Sequence, residues 1–268
     1  MKFIRMRDGF STLTTVWRRA FLDAIVAPGK FRVALPAFRR ASDMLFHSGI
    51  NSLHPSEIPT DGQTIKFLPG EWGPGDMPIA DLYALLRVAR WVQPKKIFEF
   101  GTYHGITTSN LAVNVDAEIL TLDLSRELAG DLAGYSSSEK ELVMPASEIG
   151  SAYRNVNGHG KIHQLLGDSR AFDYQPFRKT MDLVLIDACH MYDYVMADSQ
   201  NAFELLGERG AILWHDFGNL LDVNRAVKAL AQKHPIFHLE GTWLALYLRG
   251  MSLDAPPRSA SPNECSAP

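Results

Sequence analysis

The sequence predicts an α/β protein built on a mostly parallel sheet, and three stretches carry that prediction. Residues 96–105 begin as a short apolar run, break at Gly101 and pass Gly105 into a helical pattern at Ile106, Thr107, Asn110, Leu111 and Asn114. Glu118-Ile-Leu-Thr-Leu-Asp123 is a second apolar run stopped by an acid, and Met181-Asp-Leu-Val-Leu-Ile-Asp187 is a third. A strand that turns on glycine into a helix puts that turn at the carboxyl edge of a parallel sheet, where open α/β folds bind ligands. Glycine there permits positive φ and close backbone approach. The G-x-x-x-G spacing falls short of the G-x-G-x-x-G turn that seats a pyrophosphate on a helix start, which argues against a dinucleotide.

The run Glu99-Phe-Gly-Thr-Tyr-His-Gly105 resembles the first motif of class I S-adenosylmethionine-dependent methyltransferases. Their ligand carries a sulfonium and a methionine end but no phosphate, so a pyrophosphate turn is not needed. The resemblance implies a Rossmann-like fold: a seven-stranded, mostly parallel sheet of order 3-2-1-4-5-7-6 with helices on both faces. It also implies that Glu99, Gly101, Thr102 and Gly105 border S-adenosylmethionine. Asp123 lies about 20 residues beyond the glycine turn, where a nucleoside-binding unit places its ribose-hydroxyl acceptor; a solvated strand-end carboxylate is the plainer alternative.

The chain has 268 residues, 46% of them hydrophobic and 21% charged, with a formal net charge of −3. That length suits one large α/β domain with extensions. The negative balance weighs against a nucleic-acid methyltransferase. Two cysteines, Cys189 and Cys265, give no disulfide framework, which points to the cytoplasm. No apolar run reaches the roughly 18 residues of a membrane span.

Residues 1–74 read as an N-terminal helical arm and linker. The first forty carry nine Lys and Arg against Asp8 and Asp23, with apolar residues at Leu13, Val16, Trp17 and Phe21. Such a helix packs on its own domain or makes a homo-oligomer; contact with an anionic membrane surface is the alternative. From Ser52 to Pro74 the Pro- and Gly-rich composition predicts an irregular linker.

The methyltransferase-like domain is expected over 75–250. Pro78 suits the first turn of a helix with an apolar stripe at Ile79, Leu82, Tyr83, Leu86 and Ala89. Residues 125–160 read as an insertion near the substrate, in which Tyr153 and Arg154 form a substrate wall or anchor the segment. Residues 161–168 form a third strand ending in Gly167-Asp168-Ser169. The resemblance gives Asp168 the adenine amino group and its neighbours Gly167 and Ser169 the ring edge; a turn or capping Asp is the competing reading.

After Asp187 come His190 and Tyr192, then a helix from about Tyr194 to Leu206 closed by Gly207. The strand Gly210–Trp214 stops at His215-Asp216. Two adjacent parallel strands thus present Asp187, His190, His215 and Asp216 at one edge, beside the glycine turn. They could hold a divalent cation, supply a general base, or be hydrogen-bonded strand ends without chemistry. The D-x-x-H-x-Y and W-H-D runs resemble those of small-molecule O-methyltransferases, including enzymes acting on sugars and antibiotics. That likeness implies Mg2+ or Mn2+ at Asp187 and Asp216, with His215 standing where an acid is common, and Asp187 also at the cofactor.

The expected reaction is methyl transfer from S-adenosylmethionine to a hydroxyl of a small molecule, sugar or glycan. His190 is the first candidate base and His215 the second, with Asp187 assisting. An N-methyltransferase and a non-catalytic protein that keeps the cofactor fold are the alternatives. Asp222 is expected to cap a helix with its stripe at Val223, Ala226, Val227 and Leu230. A closing hairpin turns at Gly241-Thr242, and residues 251–268 read as a disordered tail.

Overall fold

The computed structural model describes residues 50–62, 64–68, 75–130, 132, 134–154, 156 and 159–254. The arm, with Leu13, Val16, Trp17 and Phe21, lies outside the described residues, as do positions 255–268, so the oligomer and membrane readings attached to the arm fall outside them too.

Among the described residues the sheet has eight strands: β1 (Asn51–Leu53), β2 (Lys96–Phe100), β3 (Glu118–Asp123), β4 (Ile162–Leu166), β5 (Met181–Ile186), β6 (Leu206–Trp214), β7 (Ile236–Leu239) and β8 (Ala245–Arg249). Their order is β1-β7-β8-β6-β5-β2-β3-β4. All pairings are parallel except those of β8 with β6 and β7. Seven strands keep the expected order, and β1 adds an eighth at the β7 edge. Residues 51–53 were expected in the linker. They are a strand because β7 offers them a parallel partner, which composition does not reveal.

The described residues hold five helices, α1 (Ile79–Val92), α2 (Ile106–Asn114), α3 (Ser137–Leu142), α4 (Tyr192–Leu205) and α5 (Leu221–Ala231), of which α1, α2, α4 and α5 pack on the sheet. Strand alternation sorts the core into two layers. Ile97, Ile119, Leu183, Leu185 and Leu213 face α1 and α2. Phe98, Phe100, Val184, Ile186 and Trp214 face α4 and α5.

Several local expectations shift. Leu53 and Ile58 are buried in the α1 layer with Ile65 packed against them, so the boundary placed at residue 74 cuts through one core. Met251 and Leu253 pack there as well, and the first residues of the supposed tail belong to the fold. On α1, Ile79 and Tyr83 are exposed while Leu85, Val88 and Trp91 are buried, because the sheet meets the helix on a rotated face. α4 ends at Leu205 and runs directly into β6, so Gly207 is a strand residue and not a helix stop. Leu220, not Asp222, occupies the cap of α5. Asp222 sits in its first turn and pairs with Arg225.

Candidate active site

The carboxyl ends of β2, β3, β5 and β6 are tied in register. Gly101 N donates to Leu122 O, Asp187 N to Phe100 O and His215 N to Ile186 O, at 2.8–3.0 Å. This extends the parallel ladder one residue past each strand and sets Gly101, Asp187 and His215 side by side. A Cβ on Gly101 would stand 2.0 Å from the Asp187 carbonyl oxygen, and its φ is +89°. Only glycine fits both demands.

A cavity of about 300 Å³ opens over this edge, large enough for a small ligand. Gly101, Thr102, Asp123, Gly167, Asp168, Ser169, Asp187, His190, His215 and Asp216 all border it, which brings together most of the residues the sequence singled out. Asp76, Asp123, Glu139, Asp168, Asp187 and Asp216 give it six carboxyls, and no Lys or Arg borders it among the described residues.

Asp123 ties down the glycine turn. Its Oδ2 accepts from Thr102 N at 2.9 Å and Tyr103 N at 2.6 Å, and its Oδ1 from Leu124 N at 2.7 Å. Burial raises its pKa despite these three backbone donors. Asp168 closes its own turn by accepting from Arg170 N at 2.9 Å. It also accepts from Tyr194 Oη at 3.3 Å, and Tyr194 in turn receives the Tyr135 hydroxyl.

Glu99 departs from expectation. Strand parity turns it, with Ile97, toward α2 and away from the cavity. Its Oε2 accepts from Thr108 at 2.5 Å and Thr121 at 2.6 Å, and the residue is 1% exposed. Gly105 likewise does not border the cavity; it starts α2 at φ 82°. Tyr153 and Arg154 anchor the insertion and form no wall. Tyr153 donates to Gln164 Oε1 at 2.7 Å and Arg154 to Ile149 O at 2.9 Å.

The four edge residues do converge, and two further acids join them. His190 Nε2 is 3.0 Å from Asp216 Oδ2, and its Nδ1 is 2.9 Å from Glu139 Oε1 on α3. His215 Nδ1 is 3.0 Å from Asp187 Oδ1 and 3.3 Å from Asp216 Oδ2. Its Nε2 is 3.1 Å from Asp81 Oδ2 on α1. Asp216 holds φ +58°, a left-handed conformation that Asp tolerates, and its Oδ1 accepts from Asn219 at 2.6 Å.

A neutral imidazole has one N–H and one lone pair. A ring with a carboxylate at each nitrogen needs a proton on each. Burial opposes charge on His190, but Asp216 and Glu139 outweigh it and raise its pKa to about 10. Burial opposes charge on His215 as well, and Asp187, Asp216 and Asp81 lift its pKa well above the usual value. Asp216 is the converse: burial resists its ionisation, and the two imidazoles hold it far below the carboxylate range. Each ring thus faces carboxylates at both nitrogens, which favours the protonated imidazole over a free base in the absence of a cation.

Residues 98–217 match a family model described as a methyltransferase domain. The O-methyltransferase NovP is 13% identical over 63% of this chain and 78% of its own, with a TM-score of 0.51, a likeness of fold. The O-methyltransferase TomG of Streptomyces achromogenes, solved with SAM, is 17% identical over 65% of this chain and 81% of its own (TM-score 0.46). PaMTH1 of Podospora anserina, solved with SAH, is 15% identical over 66% and 81% (TM-score 0.48). No curated protein matches the chain in sequence.

Within the matched span, sequence reasoning missed Glu139. Asp81, which precedes the matched span, was missed too. Asp81 lies in the first turn of α1, where an acid suits the helix dipole and gives no other signal. Glu139 lies in an insertion without periodicity. Only the fold brings these two to His215 and His190.

Proposed function

We propose that the protein is an S-adenosylmethionine-dependent O-methyltransferase acting on a small-molecule hydroxyl. The observation that carries this reading is a cavity with six carboxyls and no Lys or Arg among the described residues, at the glycine turn of a methyltransferase domain. A cationic sulfonium suits such a field, whereas a phosphate-bearing cofactor does not. S-adenosylmethionine supplies an electrophilic methyl group when bound.

This chain's residues bind and orient. Gly101 lets the backbone approach closely, and Asp123, already fixed by three N–H groups, keeps lone pairs for the ribose hydroxyls. Asp168 offers an acceptor to the adenine amine, with Gly167 and Ser169 beside it. Tyr135, Leu122 and Leu124 supply apolar surface for the ring. At the other end, Trp243, Met77 and Leu220 border the space left for the acceptor.

Asp187 is the proton acceptor in this proposal. Its side chain is 20% exposed, and Oδ1 is held by His215. With the methyl donor bound, Asp187 would take the proton released by the acceptor hydroxyl on methylation. His190, which borders the cavity beside Asp187, adds positive charge near that oxygen.

No helix among the described residues is long and apolar enough to cross a membrane, and we place the enzyme in the cytoplasm on its cysteine usage. A sugar or glycan hydroxyl belongs to the same acceptor class. Homo-oligomer formation through the arm completes the proposal.

Calorimetry with S-adenosylhomocysteine tests the cofactor assignment. Asp123→Ala should weaken binding by about 10- to 100-fold, the value of one or two hydrogen bonds to a charged group. No binding by the folded wild-type protein would sink the reading. Radiolabelled methyl transfer to a panel of hydroxyl compounds then tests the reaction. Asp187→Asn should lower turnover by about 100-fold or more.

A further inference from the structure

Asp168, just past β4, receives a donor at each oxygen. Its Oδ1 accepts from Arg170 N at 2.9 Å and its Oδ2 from Tyr194 Oη at 3.3 Å. Tyr194 stands in the first turn of α4, and Tyr135 reaches it from the 125–160 insertion, just ahead of α3. The Tyr135 hydroxyl donates to Tyr194 Oη, and the two ring centroids are 5.4 Å apart. The Arg170 guanidinium lies over the Tyr194 ring, 5.0 Å from its centroid. Residues after β4, on α4 and in the insertion thus meet at one carboxyl group, and Tyr135, Tyr194 and Asp168 all border the cavity.

The direction of this relay follows from counting protons. Each phenol has one to give. Burial raises the pKa of both, so both keep it. Tyr194 spends its proton on Asp168 and therefore meets Tyr135 with a lone pair, which Tyr135 fills. Every hydroxyl proton in the chain points toward Asp168. That carboxyl, accepting at both oxygens, has only lone pairs left to offer a ligand. Ring packing alone would anchor the insertion, and phenylalanine would supply it. The two hydroxyls add something packing does not: they fix which way Asp168 faces.

Resting on the S-adenosylmethionine reading above, we propose that Tyr194 and Tyr135 are positioning residues that set the purine selectivity of the site: they hold Asp168 as a fixed acceptor, which takes a 6-amino purine and refuses a 6-oxo one. An exocyclic amine donates to that carboxylate. A 6-oxo group sets a carbonyl oxygen against it, two acceptors facing each other. The nearest donor of a 6-oxo purine is one atom further round the ring, at N1. An Asp168 free to turn could follow it; an Asp168 held at both oxygens does not.

The test needs no methyl acceptor. Calorimetry on full-length protein compares S-adenosylhomocysteine with S-inosylhomocysteine, its 6-oxo counterpart, in wild type, Tyr194→Phe and Tyr135→Phe. Wild type should prefer S-adenosylhomocysteine by at least about tenfold. Tyr194→Phe should weaken S-adenosylhomocysteine by about 3- to 10-fold and leave S-inosylhomocysteine within about twofold, so that the preference narrows. Tyr135→Phe should move the same ratio by a smaller factor, since Tyr194 keeps its own bond to Asp168.

A merely structural role would weaken both ligands alike. Equal losses, or an unchanged ratio in Tyr194→Phe, therefore overturn the proposal, as does a wild type that holds both ligands equally. If Tyr194→Phe does not fold, judged by circular dichroism, Tyr135→Phe decides on the same ratio. A wild type that binds neither ligand strikes the cofactor assignment and this proposal with it, whereas S-adenosylhomocysteine binding with an unchanged ratio strikes the proposal alone.

Discussion

Replacing Glu99 by glutamine tests how the carboxyl beneath the glycine turn is held. Burial is the largest influence on it, ahead of the Thr108 and Thr121 hydroxyls that pull the other way, and its pKa rises from 4.5 to about 8. The folded chain therefore keeps a proton that the unfolded chain gives up. Between those two values the unfolded state binds fewer protons, so stability falls as pH rises. The contribution is fully present below pH 4.5 and is lost as pH climbs through about 8. At about 1.4 kcal/mol per pKa unit, the loss between about pH 5 and about pH 8 reaches roughly 3 to 4 kcal/mol. Glutamine keeps the shape and has nothing to ionise. Urea unfolding should show Glu99→Gln close to wild type at the lower pH and more stable by at least about 1 kcal/mol at the higher one. Its affinity for S-adenosylhomocysteine should be unchanged, because the side chain faces α2. A stability gap that is the same at both pH values, or a variant that loses ground at high pH, would show that Glu99 is held ionised and refute the reasoning.

Two further substitutions probe the edge. Gly101→Ala forces a Cβ to within 2.0 Å of the Asp187 carbonyl oxygen in a positive-φ position; it should lower stability by about 1 to 3 kcal/mol or more and abolish S-adenosylhomocysteine binding, read by thermal melts and calorimetry. Glu139→Gln leaves His190 with one carboxylate instead of two. The ring should titrate lower by at least about one unit, seen by NMR of labelled histidines, with cofactor affinity retained.

Much of the fold was legible because its signals are local. Apolar runs stopped by acids at Asp123 and Asp187 mark strand ends, and Gly101 marks a backbone position that cannot carry a side chain. The order of seven strands came from the motif resemblance, and the structure keeps it. Residues 51–53 failed as a strand prediction because three residues carry no period; their strand character comes wholly from β7. Gly207 misled for a related reason. Glycine after a helix reads as a stop, yet here the chain passes straight into β6, where a Cβ on Gly207 would stand 3.4 Å from the Lys179 and Met181 carbonyl oxygens.

The site was legible in its members and not in its charges. From sequence, Glu99, Asp123, Asp187 and Asp216 are four acids at or near strand ends and look interchangeable. Parity removes Glu99 from the cavity, three backbone donors commit Asp123 to the turn, and the two histidines divide Asp187 from Asp216. The reading of His190 as a base assumed a free ring nitrogen. Glu139 cancels that assumption, and it reaches the ring from a helix 51 residues earlier in the chain. Protonation at such a site follows from the number of carboxylates around each ring. That number belongs to tertiary structure, since Asp81 and Asp216 meet across His215 from α1 and the end of β6. With carboxylates at both nitrogens of both rings, Asp187 borders the cavity with one oxygen held by His215. The proposed reaction therefore assigns proton acceptance to Asp187 and charge stabilisation to His190, the reverse of the roles that residue type alone suggests.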